Sequence, residues 1–209
     1  MSKDVVRAGY DAMGADYSAA RQVDQRSLPL VQELIDRLPT GATVLDAGCG
    51  SGVPVTMALS NHFDVTGVDI SETQLALARR SIPRVKFVRQ DMTALDFPTG
   101  TFDAICSFYA IIHVPREEHR PLLLNFHRML KPSGLVLLCM GAGDWPGEVE
   151  KFYGAPMYWS HFDAEANLRM VREAGFAVIW SRIVADTLDP KIGSSHLFVL
   201  AQHSTENQA

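Results

Sequence analysis

Residues 44–52 read VLDAGCGSG: two aliphatic side chains, an acid, then glycines at positions 48, 50 and 52. Thr43–Ala47 is a short apolar run of the kind buried in a parallel sheet, and the glycines end it in a turn. In open α/β sheets ligands gather beyond the carboxyl ends of the strands, and glycine there lets a ligand approach the main chain. A dinucleotide fingerprint would read G-x-G-x-x-G and set a pyrophosphate on a helix N-terminus. Here the spacing is G-x-G-x-G, and Asp46 stands in front of it. A carboxylate at that mouth repels a pyrophosphate and attracts an ammonium, which favours a cationic nucleoside carrying an amino acid.

Outward from this turn the chain alternates strand and helix patterns. A helix runs from 54 to 60, with Pro54 in its first turn where a missing N–H costs nothing. Residues 62–68 (HFDVTGV) are strand-like, and Ser71 with Gln74 has capping-box spacing at the start of SETQLALARR. Further strands are predicted over 85–89, 102–108 and 135–140, with a helix over 122–130 marked by Leu122, Leu123, Phe126 and Met129. Asp163 opens a helix that runs through Ala174 and stops at Gly175. Runs at 176–184 and 196–201 close the pattern, joined by a link too short for a crossover, so they pair antiparallel. Ahead of the glycine turn, 27–38 is an amphipathic helix, and 3–20, carrying Gly9 and Gly14, is a weaker one and a candidate lid. The expected fold is α/β: a doubly wound, seven-stranded, mostly parallel sheet covered by helices on both faces.

With 209 residues, 47% hydrophobic and 21% charged, the chain is large enough for one domain with a substantial core. Its net charge of −5 and lack of a Lys/Arg cluster argue against a nucleic-acid-binding face. Residues 1–20 lack the apolar core of a signal peptide, and no window has the length of a membrane span. Cys49, Cys106 and Cys139 are odd in number and apolar in setting, which reads as reduced thiols of a cytoplasmic protein. They also lie without C-x-x-C spacing, so no metal site is expected and small buried hydrophobes are the simpler reading. The polar tail from Ser204 onward is expected to be loose.

Two further acids follow at strand ends. Asp69 closes VTGVD, where a carboxylate can bridge two ribose hydroxyls, and Asp91 in RQDM can accept from an adenine amine while Met92 covers the ring. A simpler alternative for Asp46 and Asp69 is strand-end carboxylates that merely cap the next turn, which the ordered motifs below disfavour. Taken together, VLDAGCGSG, VTGVDIS, FVRQDMTALDFP, FDAICSFYAIIHV and MLKPSGLVLL resemble the class I S-adenosylmethionine-dependent methyltransferases, in the family's order over roughly residues 40–140. The resemblance implies strand order 3-2-1-4-5-7-6 with the last strand antiparallel, and S-adenosylmethionine as cofactor. It also implies a cofactor site of Asp46, Gly48, Cys49, Gly50, Gly52, Asp69, Ile70, Asp91, Met92 and Ser107. The family's members that methylate nucleic-acid amines carry an Asn/Asp-Pro-Pro-aromatic element where this chain has SFYA, which argues for a small-molecule acceptor.

The stretch 143–164 crowds aromatic side chains after the fifth strand, at the ligand end of the sheet. It is expected to be a substrate loop, with Trp145, Tyr158 and Trp159 walling an acceptor pocket together with Tyr10, Tyr17 and Tyr109. Half of those rings can instead simply hold the loop to the sheet. The division expected is a helical lid (1–40), a cofactor core (41–142), this loop (143–164) and a C-terminal helix and hairpin (165–203). A sulfonium methyl is already activated, so a base is needed only where the acceptor must lose a proton. His113 and His161 are the candidates for it; His62, His119, His127 and His203 read as surface or helix positions. Competing readings are an NAD-linked oxidoreductase, which the glycine spacing disfavours, and a non-catalytic cofactor-binding partner protein, which only turnover separates from an enzyme.

Overall fold

Strand β1 (Thr43–Ala47) alternates its side chains between two hydrophobic layers: Val44 packs into one and Leu45 into the other. That period of two places β1 at the centre of a sheet covered on both sides. It pairs in parallel with β2 (Asp64–Asp69) on one side and β4 (Phe102–Ser107) on the other, and β2 pairs with β3 (Lys86–Arg89). Beyond β4 lies β5 (Leu130–Gly141), then β9 (Ser195–His203), which runs antiparallel between β5 and the edge strand β8 (Phe176–Ala185). The order β3-β2-β1-β4-β5-β9-β8 is the expected one, renumbered by two extra strands between β5 and β8. The computed structural model describes residues 2–23, 25–185 and 195–204. The expected tail beyond 204 and the link 186–194 lie outside the described residues.

One face of the sheet is covered by α5 (His119–Met129) and α6 (Ala164–Glu173), through Leu122, Leu123, Phe126 and Val171. The other is covered by α2 (Leu28–Ile35) and α3 (Val55–Leu59), through Leu30, Val31, Leu34 and Leu59. Asp163 caps α6 as expected, accepting from the Ala166 N–H at 2.8 Å. Ser71 caps α4 (Glu72–Ser81), but only half of the capping box forms: the Gln74 amide reaches instead to the carbonyl of Gly14. Among the described residues no helix is long and apolar enough to cross a membrane.

The two extra strands correct the expectation of an aromatic loop. β6 (Trp145–Phe152) and β7 (Ala155–His161) form an antiparallel hairpin closed by Tyr153 and Gly154, both at positive φ (46° and 85°). Two positive-φ residues between paired Phe152 and Ala155 make the tight turn whose twist suits a hairpin. The hairpin rests on α1 (Ser2–Val23), sharing a small separate core of Val6, Met13, Tyr17, Phe152, Ala155 and Met157. Gly9 permits that contact, since a Cβ there would lie 2.6 Å from the Pro156 carbonyl oxygen and 2.9 Å from Met157 Cε. α1 breaks at Gly14 (φ 41°, ψ −115°), which explains its weak periodic signal.

Candidate active site

The carboxyl ends of β1, β2 and β4 open onto a cavity of about 670 Å³, roofed by α1, with an adjoining lobe of about 510 Å³. Tyr17, Gly48, Gly50, Phe108 and Tyr109 line both. The glycine turn is the floor. At Gly48 (φ +82°) an added Cβ would strike Ala110 and come within 2.9 Å of Met92 Cε, so only glycine lets the turn lie against that wall. At Gly50 (φ +54°) the nearest atom to an added Cβ is Gln74 Oε1 at 3.9 Å, so its side is open.

Asp69 holds this turn in shape. Its Oδ2 accepts from the Gly50 N–H at 2.8 Å and its Oδ1 from the Ser71 N–H at 2.9 Å, leaving lone pairs on both oxygens toward the cavity it lines. Burial raises its carboxyl above the ordinary range, opposed by those N–H donors. Asp46 corrects the expectation of an acid at an open mouth: it lies buried beneath the turn, lining the smaller lobe, with Oδ2 accepting from Thr56 Oγ1 at 2.5 Å. Desolvation pushes its carboxyl up to about 6, against the Thr56 and Cys106 donors and with the Asp69 charge adding to the rise.

Asp91 faces the large cavity with both oxygens engaged. Oδ1 accepts from the Thr93 N–H and hydroxyl at 2.9 Å each, and Oδ2 lies 2.9 Å from the ammonium of Lys3 on α1. Partial burial works to raise this carboxyl, yet the Thr93 donors and Lys3 together hold it below its usual range. Lys3 also donates to Thr93 Oγ1 at 2.6 Å and Glu118 at 2.5 Å, a latch between lid and core. Burial pulls its ammonium down, but the bonds to Glu118 and Asp91 prevail and raise it.

The opposite wall carries His113, buried just beyond β4. Its Nδ1 lies 2.8 Å from the Tyr158 carbonyl, which only accepts, so Nδ1 carries the proton. In the neutral ring Nε2 then accepts, and the Tyr10 hydroxyl donates to it across 2.8 Å. Trp159 lies against the imidazole, tilted by 45° at 4.4 Å between centroids. Tyr109, at φ 54°, holds a left-handed backbone that a bulky residue adopts only where its surroundings force it, and its ring packs on Phe198 and His196.

Of the residues expected from the sequence, Tyr10, Tyr17, Gly48, Gly50, Asp69, Ile70, Asp91, Met92, Tyr109 and His113 line the large cavity, and Asp46 and Cys49 the lobe. Others are spent elsewhere. Ser107 is buried, donating to the Ala47 carbonyl at 2.7 Å and tying β4 to β1. Gly52 brings the turn against Ile82 and Phe87, outside both cavity linings. Trp145, Tyr158 and Trp159 lie on the hairpin behind the wall; of these, Tyr158 contributes its carbonyl to His113. His161 is outside the cavity lining as well: Nδ1–H donates to the Gly143 carbonyl at 2.7 Å, and the ring lies on Gly141. His119, read as a surface or helix position, is fully buried, and burial takes its pKa down to about 4. Lys3, Val6, Val68, Gln74, Gln90, Phe108, Ala110 and Val114 complete the lining. Of these only Gln74 carried a local signal, its capping-box position. No cluster of metal-ligating side chains occurs among the described residues.

Residues 44–134 match the family model of a methyltransferase domain. The chain is 36% identical over 115 residues to the 2-methyl-6-phytyl-1,4-hydroquinone methyltransferase of Synechocystis sp., covering 53% of this chain and 34% of that protein. It is 31% identical over 166 residues to the 27-O-demethylrifamycin SV methyltransferase of Amycolatopsis mediterranei, covering 75% and 55%. It thus spans less than two thirds of either relative's length. In fold it is similar to a SAM-dependent methyltransferase of Methanosarcina mazei, with a TM-score of 0.72 at 20% identity over 83% of this chain and 98% of that one. It is also similar to the 1,6-didemethyltoxoflavin-N1-methyltransferase of Burkholderia thailandensis, solved with S-adenosylhomocysteine, with a TM-score of 0.66 at 23% identity over 95% and 91%. The cavity's donor set fits S-adenosylmethionine. Gly50 leaves an open floor, Asp69 offers free lone pairs, Ile70 and Met92 form an apolar slot, and Asp46 supplies an acidic wall for a cation. Residues 44–134 thus carry a methyltransferase domain, and the strand order is that of the class I methyltransferase fold.

Proposed function

We propose that this protein is an enzyme that transfers the methyl group of S-adenosylmethionine to an oxygen or nitrogen of a small-molecule acceptor. The observation that carries the reading is His113: a buried imidazole with its tautomer set by a backbone carbonyl and Nε2 toward a hydroxyl, in the wall of the cavity that the glycine turn floors. When bound, the cofactor supplies a methyl on a positively charged sulfur; the carbon–sulfur bond breaks as the methyl carbon bonds the acceptor atom, and the neutral thioether leaves with the electron pair.

In this reading Asp69 holds the ribose, Asp91, Met92 and Ile70 surround the adenine, and Gly48–Gly50 with Cys49 and Asp46 hold the amino-acid end. The acceptor's hydroxyl takes the place of the Tyr10 phenol on His113 Nε2, which removes its proton. α1 and the hairpin together act as the lid over residues 41–142, excluding water. The test is incubation with methyl-labelled S-adenosylmethionine and a panel of small phenols, acids and amines, with mass spectrometry of the products. Labelled product supports the enzyme. Tight cofactor binding with no product from any acceptor would instead mark a non-catalytic cofactor-binding protein.

A further inference from the structure

We propose that the acceptor is an uncharged aromatic hydroxyl compound, a phenol or hydroxylated heteroaromatic, and that acceptors bearing a carboxylate or phosphate are rejected by charge. This rests on the methyltransferase reading above and specifies its second substrate.

Charge comes first. Asp46, Asp69 and Asp91 line the two lobes, whereas Lys3 is the cation lining them among the described residues. Lys3 is already committed: two carboxylates, Asp91 at 2.9 Å and Glu118 at 2.5 Å, share its ammonium. Lys3 and the cofactor together bring two net positive charges, which Asp46, Asp69, Asp91 and Glu118 outweigh. An anionic acceptor therefore meets no uncommitted cation among the described lining residues and a negative surround that repels it. The same carboxylates favour the protonated form of an aliphatic amine, whose nitrogen then has no lone pair to attack with.

Shape and chemistry agree. Tyr10, Tyr17, Phe108 and Tyr109 wall the cavity, with Tyr10 and Tyr17 edge to face at 5.2 Å, surfaces that take a planar ring. The partner that His113 Nε2 already holds is itself a phenol, the side chain of Tyr10 at 2.8 Å. A phenolic acceptor reproduces that hydrogen bond when the lid residue yields. Its proton passes to Nε2 while its oxygen bonds the methyl carbon, so the charge balance needs no further reactant.

The experiment uses the wild-type protein and near-isosteric acceptors that differ in charge: 4-hydroxybenzamide against 4-hydroxybenzoate, with catechol, 4-hydroxyquinoline and ethanolamine alongside. Cofactor affinity is measured separately by calorimetry. The expected result is O-methylation of the neutral phenols, with kcat/KM for the amide at least tenfold above that for the carboxylate, and no product from ethanolamine. Equal or better use of the carboxylate, methylation of ethanolamine, or cofactor binding with no phenol methylated overturns this proposal. Absence of cofactor binding overturns the methyltransferase reading itself, and this proposal with it.

Discussion

The Tyr10 hydroxyl and His113 Nε2 meet across 2.8 Å, one on the lid helix and the other on the turn after β4, although 103 residues separate them in the chain. Because the Tyr158 carbonyl holds Nδ1, the two residues are not equivalent partners, and in the proposed function His113 takes a proton from the acceptor that replaces Tyr10. Replacing His113 by Ala is therefore expected to lower turnover by about 10²–10⁴-fold, the range of a lost general base, with cofactor affinity little changed. Tyr10→Phe is expected to keep turnover within about fivefold, a loss well short of that range. Steady-state kinetics on both variants check this. Equal losses would mean that the proton travels through Tyr10 rather than directly to His113.

Asp69 shapes the glycine turn and, in the proposed function, holds the ribose. Each hydrogen bond to a charged group contributes about 1.5–3 kcal/mol, so Asp69→Ala is expected to weaken S-adenosylmethionine binding by at least tenfold. It also strips the Gly50 and Ser71 N–H groups of their acceptor, so the melting temperature should fall with it. Calorimetry and thermal denaturation on the one variant read both effects. Unchanged affinity would remove Asp69 from the cofactor site.

The glycines of the turn are not interchangeable. Gly48→Ala drives a methyl into Ala110 and against Met92 at a positive φ, and is expected to destabilise the protein by about 1–3 kcal/mol, as overpacking does. Gly50→Ala has open space around it, so its fold should survive at a cost of about 1 kcal/mol from the φ of +54°, while cofactor affinity falls because the new methyl stands on the cavity floor. Denaturant melts paired with binding assays separate the two. If Gly50→Ala binds normally, the cofactor does not reach that floor.

The parallel core was legible because β1, β2 and β4 each show a short apolar run ending in an acid, a glycine or a serine, with capped helices between them. Asp69 could be placed at the cavity for the same reason, as the last residue of β2, while Asp91 and Met92 follow two and three residues past the end of β3. The hairpin was not legible as strands because its aromatic residues masked a period-two pattern and its turn is Tyr-Gly rather than Asn-Gly. His161 and His113 look alike from the sequence, each in a segment that follows a parallel strand at the ligand end of the sheet. The structure distinguishes them, setting the His161 ring at the end of β7 onto Gly141 and the His113 ring on the turn after β4 at the cavity. Lys3 carried no signal, since a lysine near a helix start ordinarily faces solvent.

Lys3 latches α1 to the core through partly exposed ion pairs with Asp91 and Glu118. Such pairs contribute about 1 kcal/mol or less to global stability, so Lys3→Ala is expected to leave the melting temperature within a few degrees. Opening of the lid is a local event and should respond more strongly. Hydrogen exchange of residues 2–13 is expected to accelerate in Lys3→Ala, with the exchange of β1 and β4 unchanged. Unaltered exchange in α1 would mean that the small core shared with the hairpin, not the latch, keeps the lid shut.

Asp46 and His119 make opposite contributions to stability on acidification. Burial raises the Asp46 carboxyl to about 6 from its ordinary 3.8, and lowers His119 to about 4 from 6.5. Between pH 4 and 6 folded Asp46 keeps a proton that the unfolded chain releases, so its contribution falls as pH rises through that window. Between pH 4 and 6.5 the unfolded chain binds a proton that folded His119 refuses, so that contribution rises with pH and is complete above 6.5. Each shift corresponds to about 3 kcal/mol, and over the shared window they largely cancel. Asp46→Asn, relative to wild type, is therefore expected to gain stability as pH rises from 4 to 6, and His119→Gln to show its greatest relative stability at the acid end. Binding of a cation beside Asp46 favours its carboxylate, so cofactor affinity should increase from pH 4 to 6, by at most about tenfold per pH unit, and Asp46→Asn should flatten that rise. Denaturant melts and calorimetry at four pH values between 4.5 and 7.5 read all three effects. Parallel stability curves for the two variants would show that neither group titrates as its burial requires, and a cofactor affinity flat with pH in the wild type would place the cation away from Asp46.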